Sequence, residues 1–314
     1  MMNKRVYGVL GISSIMSNWN ADFTGYPKTT TDGKTFGSDK AFKYPMKKKW
    51  ENEGKKVLYI KSMKIVKEKG SVVLIPRSLK ERYEYLFMEG KSEKKMDADE
   101  VLKNLFTAID VKNFGATFAE AGVNLSITGA VQIGQGYNFY DATEPQEQQI
   151  LSPFRDGTKV SESGSEAKNS TLGTKIVSDE AHYFYPFAIN PLAYKEFVEL
   201  GVTKGYTEED YHEFKHAAIS SATSFATNAK IGCDNEFALF VETESTLYLP
   251  VLTQCISFEK GDNRNTIHIQ CASLLSDVMD QIKGVEVYYN PLTTQIKCDL
   301  TSVNFYNIIT GKEV

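Results

Sequence analysis

The order of the predicted elements indicates an α+β fold, because strand-like and helix-like segments follow one another in mixed order. This order is compatible with a split βαβ, ferredoxin-like core that carries large insertions. A chain of 314 residues, 41% hydrophobic and 12% aromatic, can bury such a core. Residues 134–175 are too polar to bury a core of their own, and they predict a projecting or mobile insertion.

The first half of the chain begins with an apolar, β-branched segment at residues 5–16 that predicts a central strand. An irregular loop is expected over 24–37. Ser38 and Asp39 then predict a capped helix to about residue 53, with Pro45 kinking it or delaying its start. The other elements expected here are a strand pair at 57–66 and 71–76, an amphipathic helix at 97–106, and strands at 114–118 and 123–133.

The second half predicts an aromatic strand at 182–189 and a short helix at 191–200. A long helix should follow the capping box that runs from Thr207 to Asp210. The elements expected after it are strands at 236–243, 246–254 and 266–271, a helix at 273–282, and a hairpin that turns at Asn290 and Pro291.

Bulk composition excludes several protein classes. No stretch approaches the roughly 18 apolar residues of a membrane span, and the N-terminus lacks a cleavable signal pattern, so we expect a cytoplasmic protein. The four cysteines have no C-x-x-C spacing that would hold zinc or cycle redox, and we interpret them as reduced core residues. No cofactor is expected.

Charge is distributed unevenly along the chain. The net charge is −4 overall, but residues 39–69 contain eleven lysines and four acidic residues, a local charge of +7 that leaves −11 for the remainder. A lysine run alone is usually a solvated surface. Here Phe42, Tyr44, Trp50 and Tyr59 are interleaved with the lysines, a pattern that suits phosphates and stacked bases.

One metal-site motif competes with nucleic-acid binding. His212, Glu213 and His216 form an H-E-x-x-H sequence on a predicted helix, the arrangement of zinc metallopeptidases, and Glu236 could be a third ligand. Helical phase disfavours this hypothesis, since the two histidines and Glu213 lie away from the apolar stripe. That predicted buried stripe comprises Tyr211, Phe214, Ala218, Ala222, Phe225 and Ala229. His182 and His268 stand alone in β segments without a nucleophile beside them.

Two β-like segments give the strongest indication of function. Residues 108–118 contain Asp-x-x-x-Phe-Gly-Ala, and residues 126–133 contain x-x-x-Gly-x-Val-Gln. This pair resembles the backbone subunit of type I CRISPR interference complexes, the Cas-seven family within the RAMP superfamily, and most closely its type I-B branch. Ala130 stands where the family usually has proline.

Further stretches resemble the same family in order, and together they cover most of residues 5–245. Asn18-Trp-Asn-Ala-Asp22 is similar to its Asn-x-Asn-x-Asp loop, and Ser38-Asp39 with Lys43 and Lys47 to its capped basic helix. Residues 171–175 and the aromatic run at 183–185 resemble its strand after the thumb insertion. Thr174 occupies a position where a basic residue is common.

The resemblance implies a single RRM-like palm domain over residues 1–314, with a lysine-rich finger insertion at about 24–100 and a thumb at about 135–175. Copies would stack head to tail along CRISPR RNA and present it to target DNA as part of a Cascade complex with other subunits. Head-to-tail contacts are heterologous and build an open filament, so RNA length would set the copy number. No membrane partner and no enzymatic activity are implied.

A guide of arbitrary sequence must be held by its phosphates and sugars, which lysines and close backbone approach at glycine can provide. The residues predicted to contact RNA, from the motifs and from the resemblance, are Asn18, Asn20, Ser38, Lys40, Lys43, Lys47, Lys48, Phe114, Gly115, Gly129, Gln132 and Lys175.

A type III-like backbone is the alternative within the superfamily. Such a subunit would cleave target RNA with a loop aspartate, here Asp22. The chain lacks the Gly-Ser-Ser-Leu-Lys-Gly type of segment that this alternative would place after the first loop. The interpretation as a type I backbone subunit is therefore preferred.

Overall fold

A computed structural model describes residues 1–68, 70–88, 97–120, 122–151 and 172–314. Its strands are β1 (Lys4–Ser17), β2 (Phe36–Gly37), β3 (Met63–Glu68), β4 (Ser71–Pro76), β5 (Gly115–Glu120), β6 (Val123–Thr128), β7 (Val131–Ile133), β8 (Gly136–Asn138), β9 (Pro145–Leu151), β10 (Leu172–Ile189), β11 (Cys233–Glu244), β12 (Ile256–Glu259), β13 (Asn265–Ile269), β14 (Ile282–Tyr289), β15 (Thr294–Cys298) and β16 (Asn304–Asn307).

Its α-helices are α1 (Asp39–Asn52), α2 (Leu79–Phe87), α3 (Ala98–Leu105), α4 (Ile109–Phe114), α5 (Lys195–Glu199), α6 (Glu208–Ala218), α7 (Ser221–Ser224) and α8 (Ala272–Leu275). Three short 3-10 helices lie at Pro191–Tyr194, Leu252–Cys255 and Ser276–Gln281. The expected mixture of helices and strands is confirmed. No helix among the described residues is long and apolar enough to cross a membrane.

The main sheet is built around β1, which pairs antiparallel with β10 on one side and β11 on the other. Its strand order is β16-β14-β11-β1-β10-β8-β2, and β7 and β9 also pair with β10. Alternate residues of β1 enter two apolar clusters, with Val6 and Leu10 on the helix-covered face and Tyr7 and Val9 on the other. Burial on both faces explains why this segment is almost continuously apolar.

Several local expectations are confirmed. Ser38 caps α1, which begins at Asp39. Pro45 therefore lies inside the helix and does not delay its start. The capping box at Thr207 opens α6. Three of the four cysteines are buried, as expected for core residues, and Cys298 is half-buried. The sequence reading missed α2, although Ser78 and Glu81 form a capping box there.

Other expectations about secondary structure and strand pairing are wrong. Residues 109–114 of the signature are helical rather than β-like, and the strand expected from residue 57 begins only at Met63. The region 246–254 contains no strand. The predicted hairpin at Asn290 does not form, because β14 joins the main sheet whereas β15 pairs in parallel with β13. Local sequence favours an extended segment but does not select its partner.

The remaining differences concern lengths. The predicted strand 123–133 is divided into β6 and β7, and the helix expected over 273–282 is split into α8 and a 3-10 turn. The long helix ends at Ala218, so its apolar stripe stops at Ala222 in α7, and Ala229 is exposed. The polar insertion contributes β8 and β9 and the first part of β10. Its segment 152–171, which includes Thr171 and about half of the proposed thumb at 135–175, lies outside the described residues, as do 89–96 of the proposed finger.

Candidate nucleic-acid interface

Asp110, the acidic residue of the opening signature, holds two chain segments together. Its carboxylate lies in the first turn of α4 and accepts hydrogen bonds from the backbone N–H groups of Leu58, at 2.9 Å, and Tyr59, at 2.8 Å. Lys47 Nζ on α1 lies 4.0 Å from the same carboxylate. Asp110 is buried, and it fixes the segment after α1 against α4. Its place in the signature is therefore structural.

Burial also changes the acidity of this pair. Burial raises the pKa of Asp110, although the Lys47 ammonium and the backbone N–H groups oppose the change. Burial likewise lowers the pKa of Lys47, against the attraction of Asp110. Removal from water disfavours both charged forms more than their mutual attraction at 4.0 Å favours them.

Two lysines and two aromatic rings meet at this point, and we name Lys43, Lys47, Tyr59 and Phe114 the lysine–aromatic cluster. Lys43 Nζ lies 5.1 Å from the Phe114 ring centroid, and Lys47 Nζ lies 5.9 Å from the Phe114 and 5.7 Å from the Tyr59 centroid. Lys43 is also paired with Asp39 at 2.9 Å. Cations over ring faces beside a protein surface can bind phosphates while the rings contact bases or sugars.

The other two predicted lysines of α1, Lys40 and Lys48, lie on different faces of the helix. Lys40 is exposed and shares a helix face with Lys43 and Lys47, since positions three, four and seven apart align. Lys48 is turned toward a small cavity that Pro45 and Phe225 also line, and its Nζ pairs with Glu51 at 2.8 Å. The structure thus brings Lys40 to the cluster face but not Lys48.

Gly115 and Gly129 follow the cluster and contact each other's backbone. A Cβ on Gly115, where φ is +80°, would lie 2.1 Å from Ile127 O, and a Cβ on Gly129 would lie 2.2 Å from the Phe114 carbonyl carbon. Close packing of the chain on itself therefore accounts for both glycines, whereas the sequence suggested close approach of RNA. Gln132 is exposed, and its Nε2 donates to Gly129 O at 2.9 Å.

Asn18, Asn20 and Ser38, which we call the asparagine patch, lie after β1. Asn20 Oδ1 accepts from Ser38 Oγ at 2.9 Å, and Asn18 Nδ2 donates to Gly25 O at 2.9 Å and Ile176 O at 3.1 Å. The opposite amide atoms, Asn18 Oδ1 and Asn20 Nδ2, are buried and have no hydrogen-bond partner among the described residues. Such atoms are normally satisfied, and because neither atom is reached by solvent, a buried water is the partner that would fit them.

Two lysines border the asparagine patch. Lys175 is half-buried on β10, one residue before Ile176. Lys230 was missed by sequence reasoning, yet its Nζ donates to Asn18 O at 2.6 Å and lies 5.5 Å from the Trp19 ring centroid. Nothing local in the sequence marks Lys230, because more than 200 residues separate it from its partners.

The structure also shows where the residues of the competing metal-site motif lie. His212 and His216 are exposed on α6, and Glu213 is paired with Lys55 at 2.6 Å. Glu236, the candidate third ligand, contacts His182 Nδ1 at 2.8 and 2.9 Å. No group of three or more metal-ligating side chains is found within the described ranges.

His182, which the sequence placed alone in a β segment, is buried and packs against Phe258, with the ring centroids 4.1 Å apart. The acids around it were not foreseen: its Nε2 lies 2.9 Å from Glu180, which also pairs with Lys260 at 2.6 Å. His268 lies 3.0 Å from Glu259. His182 borders a cleft that Glu180, Glu236 and Lys260 also line.

Three comparisons relate the chain to known proteins. A family model described as CRISPR-associated protein Cas7 matches residues 4–271. A search of curated proteins gives no match. A solved chain from a "CRISPR RNA-guided surveillance complex, pre-nicking" is 14% identical, with 96% of each chain covered and a TM-score of 0.49. A chain from a "CRISPR RNA-guided surveillance complex" is 14% identical over 90% of this chain and 88% of that chain, with a TM-score of 0.45.

Proposed function

The chain belongs to the CRISPR-associated protein Cas7 family, and from this premise we propose that it is the guide-binding backbone subunit of a type I-B interference complex. In this proposal, copies assemble head to tail along CRISPR RNA and present it for pairing with target DNA, together with other Cascade subunits in the cytoplasm. The subunit itself is not an enzyme. The signature residues 108–133 support the type I-B assignment.

The observation that carries RNA binding is the lysine–aromatic cluster. Lys43 and Lys47 lie over the Phe114 ring, and Asp110 holds the neighbouring segment in place. Two ammonium groups over rings can neutralise phosphates without reading base edges, as a guide of any sequence requires. A phosphate beside Lys47 would also favour its charged form, which burial disfavours in the free protein.

The sheet supports the proposed RRM-like palm. The four strands β11, β1, β10 and β8 are neighbours in that order and antiparallel throughout. Helices α1 to α4 lie between β1 and β8 in the chain, and α5 to α7 lie between β10 and β11. A split βαβ unit has the same order of strands and helices. The finger at 24–100 and the thumb at 135–175 would be the insertions into this palm.

Charge reversal tests the proposal directly. The double variant Lys43→Glu/Lys47→Glu should bind single-stranded RNA much more weakly, and the slope of log affinity against log salt should fall by about 0.7 for each phosphate that is no longer neutralised. The matched control is Lys195→Glu/Lys297→Glu, which changes the net charge equally at α5 and β15. Equal affinity and slope in the wild type and the cluster variant would refute RNA binding at the cluster.

Assembly is tested by purification without nuclease. We expect large particles that contain RNA and that collapse to monomers after ribonuclease treatment, because RNA would set the copy number. A monodisperse monomer free of RNA would contradict the filament. The subtype requires a separate measurement, in which co-purification with subunits of a type I-B complex is the expected result.

A further inference from the structure

Phe23 is the most exposed large apolar residue among those described. Its exposed area is 112% of the reference value for phenylalanine, so no part of the described chain covers it. Phenylalanine is normally buried, since leaving it in water forgoes roughly 1.5–3 kcal/mol of transfer free energy. A single exposed apolar residue can be incidental, so its setting decides whether it has a role.

That setting is a tightly hydrogen-bonded turn. Asp22 Oδ1 accepts from the Thr24 N–H at 2.8 Å, the Thr24 hydroxyl at 2.7 Å and the Tyr26 N–H at 3.0 Å. The Asp22 N–H donates to Tyr26 O at 2.8 Å, and Gly25 has a φ of +93° that suits glycine. The turn therefore holds the Phe23 backbone in one conformation and directs the residue outward.

The turn is fixed against the predicted RNA-binding region. Gly25 O accepts from Asn18 Nδ2, and Tyr26 donates its hydroxyl hydrogen bond to Glu147 on β9. A Cβ on Gly25 would lie 3.6 Å from Ile176, the residue after Lys175. Phe23 thus belongs to the same surface region as the asparagine patch and Lys175.

These neighbours favour a nucleobase as the occupant over an apolar protein segment. A nucleotide offers the π-face of its base to a ring and its phosphate to a lysine such as Lys175, whereas an apolar segment has no group that pairs with the lysine. We propose that Phe23 stacks on one nucleobase of the bound nucleic acid and that Asp22 is a positioning residue that holds the turn presenting it. This inference rests on the proposed function.

The same contacts bear on the nuclease alternative. An aspartate that cleaves RNA must be free to hold a metal ion or activate a nucleophile. One carboxylate oxygen of Asp22 already accepts three hydrogen bonds within the turn. A role in shaping the turn accounts for this residue without any chemistry.

Affinity measurements with four variants test the proposal. Phe23→Ala should weaken nucleic-acid binding on the order of 5- to 150-fold, because it removes the stacked ring. Phe23→Leu should weaken binding by a smaller factor, because leucine keeps an apolar contact but lacks a π-face. Asp22→Ala should cause a similar loss, and Asp22→Asn should restore the affinity because it keeps an acceptor oxygen. The matched control is Leu292→Ala, which removes another exposed apolar side chain.

Fluorescence separates a stacking role from a structural one and identifies the strand. Trp19 and Trp50 are buried, so the difference between Phe23→Trp and the wild type reports on position 23. Quenching on addition of guide RNA would assign the base to the guide. Quenching only after complementary DNA is added to the RNA-loaded protein would assign it to the target. No quenching in either arm would overturn the proposal.

The outcomes remain separable from those of the proposed function. If the wild type binds RNA through Lys43 and Lys47 but Phe23→Ala binds both strands equally well, only the stacking role is wrong. If Phe23→Ala shortens the particles without changing RNA affinity, the residue contacts protein and the proposal is overturned. Metal-dependent cuts in target RNA that Asp22→Asn abolishes would overturn the positioning role of Asp22.

Discussion

Lys47 Nζ lies 4.0 Å from the carboxylate of Asp110, which also accepts two backbone hydrogen bonds from the segment after α1. The side chain that we propose binds phosphate is thus held by the acidic residue of the family signature. Removal of either partner leaves the other charge, which is largely withdrawn from water, without its ion-pair partner. Binding and stability are coupled at this pair.

We predict that Asp110→Ala lowers the free energy of unfolding by about 3 kcal/mol, because two backbone N–H groups lose their acceptor and Lys47 loses its ion-pair partner. Asp110→Asn should be less harmful, since its amide oxygen still accepts one hydrogen bond. Urea denaturation of both variants measures the difference. Asp141→Ala, at an exposed position, is the control and should unfold as the wild type does.

The two glycines next to the cluster should not tolerate a side chain. Gly115→Ala places a Cβ 2.1 Å from Ile127 O at a φ of +80°, and Gly129→Ala places one 2.2 Å from the Phe114 carbonyl carbon. We expect each to lose more than about 1 kcal/mol of stability. Gly284→Ala on β14 is the control, because its Cβ would meet nothing within 4 Å. Thermal unfolding of the three variants measures the effect, and equal Tm values for all three would contradict the prediction.

His182 should make stability depend on pH. Burial lowers its pKa, but the charge of Glu236 and the hydrogen bonds that the ring donates to Glu236 and Glu180 outweigh burial and raise it above the usual 6.5. The stabilising contribution of the charged ring is therefore fully present below about pH 6.5 and is lost as the pH rises through the raised pKa. Lys260 and Asp234 also border this cleft.

Unfolding free energies of the wild type and His182→Gln, measured from about pH 5 to about pH 9, check this. The advantage of the wild type should shrink as the pH rises above about 6.5. A difference between the wild type and His182→Gln that stays constant over the whole pH range would show that His182 keeps one charge state.

Glu180 contributes to stability in the opposite direction of pH. Burial raises its pKa, but hydrogen bonds from His182 and Lys260 outweigh burial and lower it. The stabilising contribution of Glu180 is therefore lost only as the pH falls through that lowered pKa.

Chelation should leave the protein unchanged. Glu213 is paired with Lys55, and His212 and His216 are exposed, so we expect less than stoichiometric zinc in purified protein and the same Tm with and without a chelator. Elemental analysis and thermal unfolding are the measurements. One zinc per chain that disappears in His212→Ala would favour the metallopeptidase instead.

Local sequence was sufficient wherever a short-range interaction decides the structure. The cap at Ser38, the capping box at Thr207 and the apolar run of β1 were each predicted correctly, because a cap or a buried strand is specified by adjacent residues. The signature at 108–133 also identified the family, which the match over residues 4–271 shows.

Only the tertiary structure decided which segments meet. The sequence could not show that Asp110 binds the backbone at Leu58 and Tyr59, that Lys230 reaches Asn18, or that β14 and β15 join different sheets. Each of these is a contact between positions far apart in the chain, and its partner is selected by the packing of the whole core. Propensity acts over a few neighbouring residues, whereas such contacts form only once the sheet has placed them together.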